Sequence, residues 1–247
     1  MQLLEKWQAR IGWIHPRVNS DIEVYDFYVA APKDVVLVIT HLEVVDSARK
    51  EEVEASLKLL ERAVERLTLS RVDAIMKNGA PVHLHNGVEG HLEILRRLRA
   101  ASNVPISTSS QALTDALHSL GARKILVISS WKKESTHLSS NLINHLQSEN
   151  LVVEGVESIG RQMQSFEKIQ MAPAEIFRNV VAAAEKHPDA DAVYIQSGTL
   201  ATVGIIDALE QRIGKPVVSS NSVNIWGGFK PLGIKVGPGF GKLLGSI

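Results

Sequence analysis

Short apolar runs rich in valine and isoleucine alternate with longer segments of helical period, and this alternation most constrains the fold. Runs that are apolar throughout are typical of parallel strands buried on both faces. The pattern therefore predicts an α/β fold in which parallel sheets are flanked by helices. The predicted strands are Ile11–Ile14, Val35–Thr40, Val72–Lys77, Val104–Ser107, Lys124–Ser129, Val152–Ser158, Ala192–Gln196 and Pro216–Ser219.

One long helical segment runs from residue 50 to residue 67 and reads KEEVEASLKLLERAVERL. Its apolar residues recur at intervals of three and four, which places Val53, Leu57, Leu60 and Val64 on one face. The spacing predicts one continuous amphipathic helix that packs against a sheet.

Two pairs of stretches resemble each other in the same order along the chain. VDAIMKNGAPV (72–82) is similar to DAVYIQSGTLA (191–201), and VPISTSSQAL (104–113) is similar to KPVVSSNSVN (215–224). In each copy a buried strand ends in a polar residue and glycine, and a second strand then ends in serine or threonine. The repeat predicts two pseudo-symmetric Rossmann-like lobes.

We expect residues 1–112 together with 221–247 to form the first lobe and residues 113–220 to form the second. The C-terminal ends of the strands would face a cleft between the lobes, which is where open α/β sheets bind ligands.

The charge balance and the absence of cysteine exclude several classes of function. The chain has 27 Lys and Arg residues and 27 Asp and Glu residues, so its formal net charge is zero. We therefore expect no nucleic-acid partner. The chain has no cysteine, which excludes disulfides, thiolate metal sites and cysteine catalysis.

The N-terminal residues MQLLEKWQARIGWIHP carry Glu5, Lys6 and Arg10 among their apolar residues, so we expect no signal peptide. No stretch approaches the roughly 18 to 20 apolar residues of a membrane span. These features predict a cytoplasmic protein that does not associate with membranes.

Small polar residues cluster just after the predicted strands. The clusters are Asn78–Gly79, Thr108–Ser110, Ser130–Trp131, Ser197–Thr199 and Ser219–Asn221. Hydroxyls and backbone N–H groups at the start of a helix suit a carboxylate or a developing enolate. The alternative is that these residues only cap the helices that follow them.

Histidines are also expected at the strand ends, at positions 15, 41, 83 and 85. Converging imidazoles suit zinc or another divalent metal, but residues two apart on a helix point to different faces. We therefore predict no metal and no cofactor, and keep a site formed by His15, His41, His83 and His85 as an alternative. The other histidines are expected to be solvated: His91, His118, His137, His145 and His187.

Five stretches together, in their order and spacing, resemble one known family. They are NGAP (78–81), LGARKILVISSW (120–131), AVYIQSGTL (192–200), IGKPVVSSNSVNIWG (213–227) and GPGFGKLL (237–244). The chain is identified as a member of the aspartate/glutamate racemase superfamily, and within it of the arylmalonate decarboxylase and maleate cis-trans isomerase branch. The resemblance implies two pseudo-symmetric α/β lobes with the active site between them.

The resemblance also implies roles for individual residues. Family members carry one or two catalytic cysteines at strand ends, and the second cysteine position corresponds to Ser197. The first corresponds to Gly79, or to Asn78 if the two lobes are aligned with each other. An alcohol is a far weaker acid than a thiol, so racemisation by two cysteines is excluded here.

The substrate pocket of the family implies a set of binding groups as well. The N–H groups of Ala80, Gly198 and Thr199 and the side chain of Trp131 are expected around the substrate carboxylate. His41 or His15 is the candidate for proton transfer, because an imidazole titrates near neutral pH. We expect Ser197 and His41 to be catalytic; the substrate-binding residues are expected to be His15, Pro16, Asn78, Gly79, Ala80, Trp131, Gly198 and Thr199.

These features predict a cofactor-independent isomerase, decarboxylase or lyase that acts on a small carboxylate or dicarboxylate through an enolate-like intermediate. The expected assembly is a homodimer or homotetramer. One alternative is a carboxylate-binding or regulatory protein that lost the chemistry together with the cysteines. Another is a metal-dependent hydrolase or lyase based on the strand-end histidines.

Overall fold

Parallel strands form two four-stranded sheets in the computed structural model, which describes residues 6–47, 49–130, 136–159 and 171–247. The first sheet has the order β2-β1-β3-β4. Its strands are β1 (Ala9–Arg17), β2 (Val35–Val44), β3 (Ala74–Lys77) and β4 (Ile106–Thr108). Every pairing in this sheet is parallel, which fits the apolar sequence of its central strands.

The second sheet repeats the arrangement of the first, with the order β6-β5-β7-β8 and parallel pairing throughout. Its strands are β5 (Lys124–Ser129), β6 (Val152–Ser158), β7 (Ala192–Gln196) and β8 (Val217–Ser219). In both sheets the first strand along the chain is central and the second forms an edge. The prediction of two pseudo-symmetric α/β lobes is confirmed.

Helices connect the strands and cover the sheets. In the described residues they are α1 (Asp21–Ala30), α2 (Lys50–Leu57), α3 (Leu60–Leu69), α4 (Ala80–His83), α5 (Gly87–Ala101), α6 (Ser109–Ser119), α7 (Thr136–Ser148), α8 (Pro173–Lys186), α9 (Ile206–Ile213), α10 (Ser220–Phe229) and α11 (Gly241–Leu244). None of the helices in this part of the chain is long and apolar enough to cross a membrane.

One apolar cluster joins the two lobes. It includes Trp13 of β1 and Phe27 of α1, and it continues through Phe229 to Val127 and Tyr194 in the second sheet. The rings of Trp13 and Phe27 meet edge to face with their centroids 5.3 Å apart. Because aromatic side chains bury large areas, this shared core fixes the two lobes against each other.

The structure differs from several of the predicted elements: β3 begins at Ala74 rather than Val72, and β4 is shifted to Ile106–Thr108. The segment from residue 50 to residue 67 is divided into α2 and α3, because Lys58 and Leu59 donate to carbonyls three residues back and tighten the chain. The first two strands extend beyond their predicted ends. His15 therefore pairs with His41 inside the sheet, whereas we expected both to follow their strands.

Candidate active site

A cleft between the lobes, with a cavity volume of about 100 Å³, lies at the C-terminal ends of the central strands. Residues of both lobes line it: Pro16, Arg17, Glu23, Ser47, Gly79, Ala80, Pro81, Ser109, Ser130, Gln196, Ser197, Gly198, Thr199, Ser220 and Asn224. Six of the ten predicted site residues are among them, namely Pro16, Gly79, Ala80, Ser197, Gly198 and Thr199. Trp131 lies outside the described residues.

The loop after β7 forms one wall of the cleft. Ser197 is buried, and its Oγ lies 3.1 Å from the Oγ1 of Thr199 and accepts a hydrogen bond from the Thr199 N–H at 3.2 Å. These hydrogen bonds fix the direction of the hydroxyl. They include no basic group, so within the described residues Ser197 lacks the partner that would activate it as a nucleophile.

The turn after β3 forms the opposite wall. Gly79 has a φ of 93°, and a Cβ at this position would lie 2.5 Å from Cγ of Pro16, so the turn requires glycine. The Gly79 N–H donates to Ser109 Oγ at 3.1 Å, and that hydroxyl donates to Asn224 Oδ1 at 2.6 Å. Ala80 is the first residue of α4, so its backbone N–H has no hydrogen-bond partner within the helix.

The sequence reasoning missed one carboxylate in the cleft. Glu23 lies on α1, lines the cleft, and places Oε2 2.7 Å from Nε2 of His15. Its carboxylate also contacts the loop after β7, since a Cβ on Gly198 would lie 2.8 Å from Cδ of Glu23. His15 itself is fully buried and does not line the cleft. It contacts the cleft lining through Glu23 and through the backbone of Arg17.

His41, the predicted catalytic base, is not among the residues that line the cleft. Its Nε2 is 3.2 Å from Oγ of Ser20, and its ring centroid is 5.5 Å from that of His15. It lines a separate pocket together with Leu42 of β2 and Arg62 of α3. Burial and the neighbouring His15 lower the pKa of His41, which favours its neutral form.

Asn78, a predicted substrate contact, is not among the residues that line the cleft. It is buried, and neither atom of its side-chain amide has a hydrogen-bond partner among the described residues. Its carbonyl accepts a hydrogen bond of 2.6 Å from Nζ of Lys77, which is also fully buried. Asn78 and Lys77 therefore form part of the polar interior beneath the cleft.

Two of the histidines that we expected to be solvated belong to the same interior, so that expectation is wrong for them. His91 and His145 are buried, with ring centroids 4.9 Å apart. His91 Nε2 is 2.8 Å from Oγ1 of Thr108, and His145 Nε2 is 3.1 Å from the carbonyl of Ser110. Helical periodicity gave no sign that these polar residues face the core. His118 is exposed and His187 is partly exposed, whereas His137 lies outside the residues whose side chains are described.

His83 stacks beside His91 in this interior, whereas His15 and His41 form a separate ring contact in the first sheet. Its Nδ1 is 3.3 Å from Oγ of Ser110. Among the described residues, no three His, Asp or Glu side chains are placed to hold a metal ion together. The alternative site made of His15, His41, His83 and His85 is thus not assembled in this structure.

Lys77 gives a pH-dependent prediction. Burial lowers the pKa of Lys77 from 10.5 to about 7, so between these values the unfolded chain binds a proton that the folded chain does not. The free energy of unfolding should therefore rise with pH in this range. From about pH 7 to about pH 9 we expect the wild type to gain about 2 kcal/mol relative to Lys77→Met. Urea unfolding of both proteins at several pH values measures this, and parallel curves would contradict it.

A buried carboxylate supports the Ser197 loop from the other lobe. Asp26 Oδ2 accepts hydrogen bonds from Thr202 N–H at 2.9 Å, from Val203 N–H at 3.3 Å and from Nδ2 of Asn221 at 2.8 Å. The same amide of Asn221 lies 3.2 Å from the carbonyl of Gly198. Burial raises the pKa of Asp26, although these hydrogen bonds lower it. Asp26 thus connects α1 of the first lobe to the cleft loop of the second.

Comparisons with known proteins identify the family of this chain. A sequence model of the arylmalonate decarboxylase family matches residues 40–244, and the chain belongs to that family. Arylmalonate decarboxylase of Bordetella bronchiseptica is 27% identical over 168 residues, which are 67% of this chain and 68% of that protein.

Solved structures show the same fold. A crystal structure of arylmalonate decarboxylase has a TM-score of 0.81 at 23% identity, with 96% of this chain and 100% of that chain covered. A cysteine-to-alanine variant of the maleate isomerase from Pseudomonas putida S16, crystallised with maleate, has a TM-score of 0.79 at 21% identity. The match covers 96% of this chain and 97% of that chain. The decarboxylase and isomerase branch predicted from the sequence is therefore confirmed.

Proposed function

We propose that this chain is a cofactor-independent enzyme that binds a small carboxylate or dicarboxylate in the interlobe cleft and stabilises an enolate-like intermediate. Membership of the arylmalonate decarboxylase family supports a decarboxylase or isomerase. The observation that carries the proposal is the loop Ser197–Thr199, which lines the interlobe cleft together with the turn Gly79–Ala80.

The cleft offers positive groups to a carboxylate. Gly198 and Ala80 contribute backbone N–H groups, and the N–H of Thr199 is directed to the Ser197 hydroxyl. Arg17 also lines the cleft and brings a guanidinium, which binds carboxylates with paired hydrogen bonds. Donors fixed in this way stabilise the negative charge that develops on an enolate oxygen.

Decarboxylation fits the cleft better than isomerisation through a covalent intermediate. Covalent addition to a double bond needs an activated nucleophile, and the described neighbours of Ser197 Oγ are a hydroxyl and an N–H group. Decarboxylation needs only stabilisation of the intermediate and a proton for the α-carbon. We assign Ser197 as a hydrogen-bonding acid, and Pro16 and Gly79 as contacts that shape the substrate pocket.

A substrate panel tests the proposal. Wild type, Ser197→Ala and the control Ser56→Ala are incubated with substituted malonates and with maleate, and CO2 release and cis-trans conversion are measured. Ser56 is also buried and donates one hydrogen bond, to the Val53 carbonyl at 2.7 Å in α2. We expect Ser197→Ala to lose about 100-fold in turnover and Ser56→Ala to retain it.

Two outcomes would contradict the proposal in different ways. Full activity of Ser197→Ala would show that the serine has no part in the chemistry. A wild type that converts no member of the panel, but whose melting temperature rises with malonate, would instead favour a carboxylate-binding protein.

A further inference from the structure

Two side chains of opposite charge, Arg17 and Glu23, line the cleft. In the part of the chain that the structure describes, Glu23 pairs with His15 and not with Arg17. The guanidinium of Arg17 donates to Oδ1 of Asn19 at 3.2 Å, and its Nε is buried without a hydrogen-bond partner among the same residues. Both charges are therefore available to a ligand in the cleft.

The carboxylate of Glu23 has one oxygen engaged and one oxygen available. Oε2 accepts from Nε2 of the fully buried His15 at 2.7 Å. Oε1 has no hydrogen-bond partner among the described residues, and it is the atom nearest to the space where a side chain of residue 198 would begin. A donor on one oxygen and an arginine in the same cleft both favour the ionised carboxylate. Glu23 therefore presents a fixed negative acceptor beside Gly198.

The rest of the cleft is small and mostly polar. Of the fifteen described residues that line it, eight carry a hydroxyl or an amide, and the apolar side chains are those of Pro16, Ala80 and Pro81. The cavity of about 100 Å³ is well below the roughly 300–1,000 Å³ of pockets that hold drug-sized ligands. The cleft therefore favours a small ligand whose substituents form hydrogen bonds.

The two charges decide which substituent such a ligand carries. Arg17 and the backbone N–H of Gly198 suit a carboxylate, whereas the ionised Glu23 repels one. A ligand that also offers a donor, such as an ammonium or a hydroxyl, pairs with Oε1 of Glu23. An apolar substituent of the same size would exclude water from Oε1 and leave this charged acceptor unpaired.

We propose that Glu23 is a specificity-determining residue that accepts a hydrogen bond from an ammonium or hydroxyl substituent on the α-carbon of the carboxylate substrate. The inference rests on the proposed function, since it names the class of substrate that the same cleft takes. Arg17 and the Ser197–Thr199 loop bind the carboxylate, and Oε1 of Glu23 binds the α-substituent. A site with a buried polar group discriminates strongly against a substrate that leaves this group unpaired.

Three malonates that differ only in a small α-substituent test the proposal: methylmalonate, hydroxymalonate and aminomalonate. Isothermal titration measures their affinities for the wild type, Glu23→Gln and the control Glu157→Gln. Glu157 also pairs with a histidine, His187, at 3.2 Å, but it lies on the edge strand β6. We expect the wild type and Glu157→Gln to bind the hydroxyl and ammonium compounds at least about tenfold more tightly than methylmalonate.

The glutamine variant separates the two donor substituents. When its amide oxygen accepts from His15, its amide N–H group takes the place of Oε1. An ammonium then meets a donor, so aminomalonate should bind Glu23→Gln no more tightly than methylmalonate does. A hydroxyl can accept as well as donate, so hydroxymalonate should keep part of its preference. Wild-type kcat/KM for the two compounds then identifies the substituent that the enzyme uses.

These readouts separate the inference from the proposed function. If the wild type decarboxylates a malonate but binds methylmalonate as tightly as the other two, the role of Glu23 is overturned and the proposed function stands. Full preference in Glu23→Gln has the same meaning. If Glu23→Gln loses the preference but the wild type converts none of the three, the proposed function fails and recognition by Glu23 stands. Neither binding nor turnover of any malonate overturns both.

Glu23→Asp replaces the glutamine variant if the latter does not fold. The shorter side chain withdraws the carboxylate from the cleft while its charge is kept. The preference for the hydroxyl and ammonium compounds over methylmalonate should then fall at least about threefold. An unchanged preference in Glu23→Asp would overturn the inference.

Discussion

Gly198→Ala is expected to lower turnover about 100-fold and to weaken carboxylate binding. A methyl group at this position would overlap the carboxylate of Glu23 and lie 2.8 Å from its Cδ. Either the loop after β7 or the side chain of Glu23 must move, and both carry groups of the cleft. Overpacking of this kind also costs about 1–3 kcal/mol of stability. Steady-state kinetics, malonate titration and urea unfolding measure the three effects.

Gly204→Ala provides the matched control for this substitution. Gly204 follows Gly198 closely along the chain and also lies in the second lobe. A Cβ at Gly204 would meet only Cγ1 of Val29, at 4.0 Å. We expect it to change turnover and stability little. Wild-type turnover in Gly198→Ala, together with unchanged malonate affinity, would show that the close approach of Glu23 to the loop has no functional consequence.

Asp26→Ala is expected to have the largest effect on stability, with a loss of about 3 kcal/mol or more. The substitution removes the shared acceptor of two backbone N–H groups and the amide of Asn221, all of them buried. It also releases α1 from the cleft loop of the second lobe. Urea unfolding measures the loss, and malonate affinity should fall as well because Asn221 supports the carbonyl of Gly198.

Asp191→Ala is the control for loss of a carboxylate that accepts from two backbone N–H groups. Asp191 accepts from Arg123 and Lys124 at 3.0 and 2.9 Å but is exposed to solvent. Water replaces the missing acceptor there, so we expect a loss of about 1 kcal/mol. Equal losses in Asp26→Ala and Asp191→Ala would contradict a special role of the buried carboxylate.

The strands and the two halves of the cleft could be predicted from the sequence because both depend on local pattern. Apolar runs marked the strands, and the repeat placed Asn78–Gly79 and Ser197–Gly198 at matching strand ends. The strands of each sheet fall within the residue range predicted for its lobe. The lobe boundaries, the cytoplasmic location and the assembly as a homodimer or homotetramer stay predictions.

The Glu23–His15 pair could not be predicted in this way because it depends on how α1 packs across the lobes. A signal that pointed to it was present, since Glu23 and Asp26 lie three residues apart in the helix DIEVYDFYVA and follow its first residue, the exposed Asp21. Residues at this spacing share a helix face. Acidic residues on a buried helix face need hydrogen-bond partners. The partner of Glu23 is His15, and Asp26 accepts from Thr202 and Asn221.

The error over His91 and His145 has a similar cause. Each lies on an amphipathic helix, α5 or α7, where a histidine is compatible with either face. Their burial depends on two partners at the start of α6. The Thr108 hydroxyl lies 2.8 Å from His91 Nε2, and the Ser110 carbonyl accepts from His145 Nε2 at 3.1 Å. These partners come from a distant part of the chain, and sequence periodicity contains no information about them.

The fate of the α-carbon in D2O tests the central claim most directly. Wild-type protein is incubated with aryl- and alkyl-substituted malonates in D2O, and the products are followed by proton NMR. We predict that the wild type forms a monocarboxylate that carries one deuterium at the α-carbon. Ser197→Ala should form this product about 100-fold more slowly. Absence of any deuterated product from every malonate, with no effect of these compounds on the melting temperature, would contradict an enolate-forming carboxylate site in the cleft.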